Sequence, residues 1–148
     1  MDQQEIALKV KEGWLHCTII IEIAGWPREH VGSTLKLIVD KLKKEKAVSL
    51  IKEKISKPKK VSEKIWSTFV ELDVLVKSLV DLIGLVFDYM PSSVEIIEPE
   101  TIKESTQGLG ELLNDLIAKL HAYDAAVKKL KAVNTILGRE LEKFKQKK

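Results

Sequence analysis

Between Leu120 and Phe144 the large residues keep a seven-residue beat. Leu120, Tyr123, Val127, Leu130, Leu137, Leu141 and Phe144 alternate steps of three and four, and Asn134 fills the one beat that is not apolar. Such spacing demands a helix with a narrow apolar seam. Leu120, Val127, Asn134 and Leu141 take the a positions of the heptad, while Tyr123, Leu130, Leu137 and Phe144 take d. The stripe is roughly 50 Å long at the rise of an α-helix, longer than one small sheet can cover. Self-association is therefore expected, with a dimer as the leading form. A buried Asn at a pairs with its counterpart across the axis and penalises shifted registers, at a cost in stability. A competing arrangement packs the helix on its own domain, with Asn134 bonding a backbone group. Val133 and Ile136 lie outside the seam, Ala118, Ala122, Ala125 and Ala126 widen the stripe, and Gly138 weakens the helix by about 1 kcal/mol.

The remainder is long enough for a core. Of 148 residues, 45% are apolar and 32% charged, a balance that reads as soluble and globular. Cys17 stands alone, so no internal disulfide and no Cys-based metal site is expected, and a cytoplasmic setting follows. The N-terminus lacks a signal-peptide core. The most apolar stretch, Leu72 to Met90, is interrupted by Asp73, Lys77, Asp81 and Asp88, which predicts a core helix rather than a membrane span.

"LHCTIIIEI" places Leu15, Cys17, Ile19, Ile21 and Ile23 on one face by period two, which predicts a strand. Ahead of it Ile6, Leu8 and Val10 alternate with Ala7, Lys9 and Lys11, and "KEGW" supplies a turn. A hairpin of residues 5–11 with 14–23 is expected. A helix follows from Pro27, burying Val31, Leu35, Ile38 and Leu42. "AVSLIKEKI" reads as a second strand, "SKPKKVSEK" as a basic turn, and "IWSTFVELDV" as a third strand with Trp66, Thr68, Val70, Leu72 and Val74 on one side. A second helix is expected to bury Leu75, Leu79, Ile83, Val86, Phe87 and Met90. Pro91 ends it, and a short fourth strand stops before Pro99.

The resulting order, β-α-β-β-α-β, is that of a ferredoxin-like α+β sandwich with both helices on one sheet face. The expected organisation is an α+β head over residues 1–100 with an N-terminal β extension, a linker over 101–110, and a long C-terminal helix over 111–148. In that topology the first strand has neighbours on both sides, so an added N-terminal strand must pair beyond the sheet or elsewhere.

"IEIAGWPREHVGSTLKLIVDKL", a strand turning through Gly into a helix with a further Gly, resembles the start of an ACT-type regulatory domain. The resemblance implies edge-to-edge association and an amino-acid ligand at the strand-to-helix turn, with Gly25, Pro27 and Gly32 at matching positions. The acidic residue which that family carries beside the turn is absent, with Trp26 near its place. "YMPSSVEIIEPE" resembles a segment of small archaeal-type proteins, a likeness that implies no activity.

Residues that could carry chemistry are dispersed. His16, His30 and His121 fall on three different elements, and His121 has Asp124 three residues on, within reach along one helix face. Cys17 faces the core with no neighbouring base, and Ser92–Ser93 precedes a strand rather than forming a nucleophile elbow. Gly108 and Gly110 lack the Lys-Ser/Thr of a phosphate loop. No catalytic residue, metal ligand or cofactor is expected, and no concave site should gather two of His16, His30, His121, Cys17 and Asp124 with a further carboxylate.

Charge is segregated although the net is only +3. Lys41 to Lys64 holds ten Lys against three Glu, Glu71 to Glu104 eight acids against two Lys, and Lys128 to Lys148 eight basic residues against two Glu. Lys52, Lys54, Lys57, Lys59, Lys60 and Lys64 would cluster on one hairpin, where they could neutralise phosphates. Ferredoxin-like RNA binders also stack bases on sheet aromatics, and here only Phe69 on the third strand is offered, with Trp14 at the end of the first. Two classes of function result: a non-enzymatic assembly protein with a dimerising helix, and an RNA- or ribosome-associated factor using the lysine hairpin and basic C-terminus. An ACT-like small-ligand sensor is the third.

Overall fold

The structure, a computed structural model, describes residues 1–146. It comprises two compact units, the first ending at Lys103 and the second beginning at Glu104. The first unit is the α+β head. Its elements are α1 (Gln3–Lys11), β1 (Leu15–Gly25), α2 (Arg28–Leu42), β2 (Val48–Ile55), β3 (Lys59–Lys60), β4 (Trp66–Val76), α3 (Leu79–Tyr89) and β5 (Ser93–Glu98).

The strands form one antiparallel sheet in the order β2-β4-β1-β5, with the two-residue β3 also pairing with β4. From β1 to β5 this is the ferredoxin-like topology. Cys17, Ile19 and Ile21 of β1 and Val70, Leu72, Val74 and Val76 of β4 line the inner face. Leu35, Val39 and Leu42 of α2 and Leu82 and Leu85 of α3 complete the same core, so both helices cover one face. Period two in the strands and period 3.6 in the helices meet there.

The N-terminal β extension is overturned. Residues 3–11 are helical, because Asp2 and Glu5 form a capping box: the Glu5 N–H donates to Asp2 Oδ1 at 2.8 Å, and the Asp2 N–H to Glu5 Oε2 at 3.0 Å. Lys9 and Lys11 complement the C-terminal end of the dipole. Gly13, at φ 97°, then closes α1: its N–H donates to Val10 O and that of Trp14 to Lys9 O, both at 3.0 Å. The Lys9 ammonium lies 4.0 Å from the Trp14 ring centroid, which fastens the same turn. Ile6 and Val10 also satisfy helical i,i+4 spacing and are half-buried, while Leu8 is left exposed. Pairing along β1 was barred in any case, since β4 and β5 occupy its two edges.

Three smaller expectations change. Pro27 is the N-cap of α2, not its first helical residue. Leu75 belongs to β4 and is buried there, because Ser78 caps α3 by accepting the Asp81 N–H at 3.1 Å. Leu82 and Leu85 are the buried residues of α3; Ile83, Val86 and Phe87 are half-buried and Met90 is exposed.

The second unit is the single helix α4 (Thr106–Gln146), 41 residues and about 60 Å long. Residues 106–110 of the expected linker are thus helical. Ser105 Oγ accepts the Gly108 N–H at 2.9 Å, and this cap outweighs the cost of Gly108 and Gly110. No helix among the described residues is long and apolar enough to cross a membrane.

Candidate functional site

The heptad residues form a stripe along α4. Leu120, Tyr123, Val127, Leu130, Leu137, Leu141 and Phe144 are between 41% and 74% exposed, and Asn134 is exposed among them. Seven large apolar side chains aligned on one helix face exceed the scattered apolar exposure of an ordinary surface. Upstream, Leu109, Leu113 and Leu116 continue the same beat through helical backbone. In the sequence that extension is masked by Gly108 and Gly110, which favour a linker.

The lysines of the hairpin are all exposed and face in more than one direction. Lys52 stands opposite Asp73 in the β2–β4 ladder and Lys54 opposite Glu71. These two cations face carboxylates already in the sheet. Lys59 and Lys60 are successive residues of β3 and point to opposite sides. Lys64 lies in the turn where the Val61 N–H donates to Ile65 O at 2.9 Å. Lys57 instead borders an open cleft of about 600 Å³ between α2 and the β2–β3 bend, with Arg28, Lys36, Glu29, Gly32 and Ser33 on the helix side. The bend is fixed by Ser56, whose Oγ accepts the Phe69 N–H at 2.9 Å and whose carbonyl accepts from the buried Thr68 hydroxyl at 2.8 Å. The Arg28 guanidinium lies 5.2 Å from the Trp66 ring centroid, so one of the cleft's cations rests on an aromatic face.

His16 has partners that linear spacing hid. On the sheet face away from the core its Nε2 lies 2.7 Å from Asp73 Oδ1, and its Nδ1 is 3.8 Å from Glu98 Oε2. The contact is diagonal: Asp73 pairs with Thr18, two residues along β1, and His16 pairs with Leu75 on one side and Glu98 on the other. An imidazole here ties β5, β1 and β4 together. Period two along β1 put His16 on this face, but only the strand order reveals which carboxylates it meets. Asp124 Oδ2 pairs with Lys128 Nζ at 2.6 Å along α4, where sequence spacing had offered His121. Among the described residues no three His, Cys, Asp or Glu side chains are arranged to hold a metal ion.

Burial pushes the Cys17 thiol up from 9.0 to about 11, which keeps it a poor nucleophile at neutral pH. A disulfide reagent should label Cys17 only after unfolding; rapid labelling of the native protein would contradict its place in the core. Because the folded-state value is raised, the stabilisation is complete below pH 9 and is lost as pH rises through 11. That loss amounts to on the order of 3 kcal/mol. Cys17→Ala should flatten this part of the stability profile, measured by urea unfolding across the alkaline range.

No curated protein and no solved structure matches the chain. A family model does, over residues 16–146, from the second residue of β1 to the last described residue of α4. The chain belongs to the MJ0538 family.

Proposed function

We propose that this protein is a non-enzymatic assembly factor in which the α+β head is carried by a self-associating coiled-coil helix. One observation carries the reading: α4 is a continuous helix whose heptad apolar residues are exposed along its length. A second copy removes that surface from water, at about 25 cal/mol per Å² of apolar area. Light scattering tests it. A dimer is expected, and a stable 16.7 kDa monomer at high micromolar concentration would sink the reading. Replacing Asn134 with Leu should raise thermal stability while loosening stoichiometry, since the amide trades stability for register. Lower stability in an unchanged monomer would point to an internal bond for Asn134.

A second reading, RNA association, is favoured by the exposure of Lys57, Lys59, Lys60 and Lys64 and by Arg28, Lys36 and Lys57 around the cleft. Phe69, 39% exposed on the outer sheet face, offers one ring for stacking. Affinity should fall steeply with salt, and changing Lys57, Lys59 and Lys60 to Gln should reduce the slope of log K against log salt by roughly 2 to 3. No binding at low salt removes this reading. The ACT-like alternative rests on Gly32, which borders the cleft and above which a Cβ would meet open space.

A further inference from the structure

We propose that the partner of α4 is a second copy of this chain lying parallel and in register from Leu109 to Phe144. The inference rests on the self-association reading above and adds its orientation, its extent and the charges that fix it. With Asn134 at a, the positions Leu113, Leu120, Val127 and Leu141 are a, while Leu109, Leu116, Tyr123, Leu130, Leu137 and Phe144 are d. The seam then has eleven layers, all within the one helix.

Orientation follows from what Asn134 meets. In a parallel pair a faces a′, so the two amides satisfy one another across the axis. In an antiparallel pair a faces d′, and every d position here is Leu, Tyr or Phe. Beside Leu or Phe a buried Asn has no side-chain partner, and only the register that sets it against Tyr123 offers it a hydroxyl.

The flanking charges are also satisfied in this arrangement. In a parallel coil each g residue lies beside the e′ residue of the next heptad. Lys119 at g meets Asp124 at e′, and Glu140 at g meets Lys145 at e′. Both pairs are attractive, and the two-fold axis repeats each one. The intervening g–e′ positions, Ala126 with Lys131 and Val133 with Gly138, contain no like-charge contact. Asp124 also holds Lys128 at 2.6 Å along its own helix, so one carboxylate serves cations on both sides. In a parallel coil the two points where α4 joins the preceding unit lie at the same end.

Cysteine cross-linking tests the arrangement in the full-length chain, whose own Cys17 is buried. Leu113→Cys and Phe144→Cys are prepared separately, oxidised alone and then as a mixture, with the mass of the parent protein measured by light scattering. The parallel in-register dimer gives a disulfide-linked homodimer from each variant alone. A dimeric parent whose variants cross-link only in the mixture, 113 to 144, overturns the orientation and leaves self-association standing. A monomeric parent overturns both, and a mass of three or four chains overturns the two-stranded form. Glu140→Lys should weaken the dimer about tenfold, and Glu140→Lys with Lys145→Glu should restore it. Failure of that exchange to restore affinity overturns the charge assignment even in a cross-linked dimer.

Discussion

Replacing both Leu130 and Leu137 with glutamate is expected to leave single chains of 16.7 kDa at concentrations where the proposed dimer of the unaltered protein forms. Each leucine buried in the seam is worth about 1.5–3 kcal/mol, and a two-chain seam loses four of them. Four carboxylates placed face to face add a desolvation cost and mutual repulsion. Together these exceed the roughly 8 kcal/mol of a micromolar complex. Glutamate is itself a good helix former, so loss of assembly cannot be traced to helix propensity. Arg139→Glu is the control: it lies at f, one turn from Thr135 and outside the seam, and should leave the mass unchanged. A double variant that stays dimeric would show that the seam is not the interface.

How far the fold could be read depended on whether a local pattern had one solution. β1 and β4 did: five or more alternating apolar positions over eleven residues fit only a strand with one buried face. Residues 5–11 did not. Ile6, Leu8 and Val10 satisfy a strand's alternation, yet Ile6 and Val10 equally satisfy a helix, and nothing in that pattern decides between them. The decision came from Asp2, Glu5 and Gly13, three residues that contribute no apolar surface and act through capping hydrogen bonds and backbone conformation. At the start of α4 the local signals conflict: Gly108 and Gly110 favour a linker, but the serine ahead of them caps a helix.

The candidate sites divide in the same manner. The exposed apolar stripe on α4 was legible because a heptad is local: its members are three or four residues apart, and helical backbone alone aligns them. The pairing of Lys52 opposite Asp73 and the clasp of His16 by Asp73 and Glu98 were not legible, since they join residues 21, 57 and 82 positions apart through strand register. A charge run in sequence says how many cations a segment carries. The sheet decides which of them meet an acid across the ladder, and here it leaves Lys57, Lys59, Lys60 and Lys64 as the outward members.

The sharpest test of the head is a comparison of neighbours in "TIII". Ile19 and Ile21 are fully buried on the inner face, whereas Ile20 between them is half-buried on the opposite side, next to Glu71 and Ser93 in the ladders. Backbone context and β-propensity are nearly the same for all three, so differences in their alanine variants report burial alone. Ile19→Ala removes three carbons from a core that α2 and α3 close over and should cost about 4 kcal/mol. For a head of this size that lowers Tm by on the order of 20 °C. Ile20→Ala vacates space open to water on one side and should cost about 1 kcal/mol. All three tryptophans, Trp14, Trp26 and Trp66, lie in the head, so their fluorescence follows its unfolding without interference from α4. Equal losses at positions 19 and 20 would mean that both sheet faces are closed to water. A larger loss at 20 would reverse the register of β1, and with it the assignment of every inward-facing residue from Leu15 to Ile23.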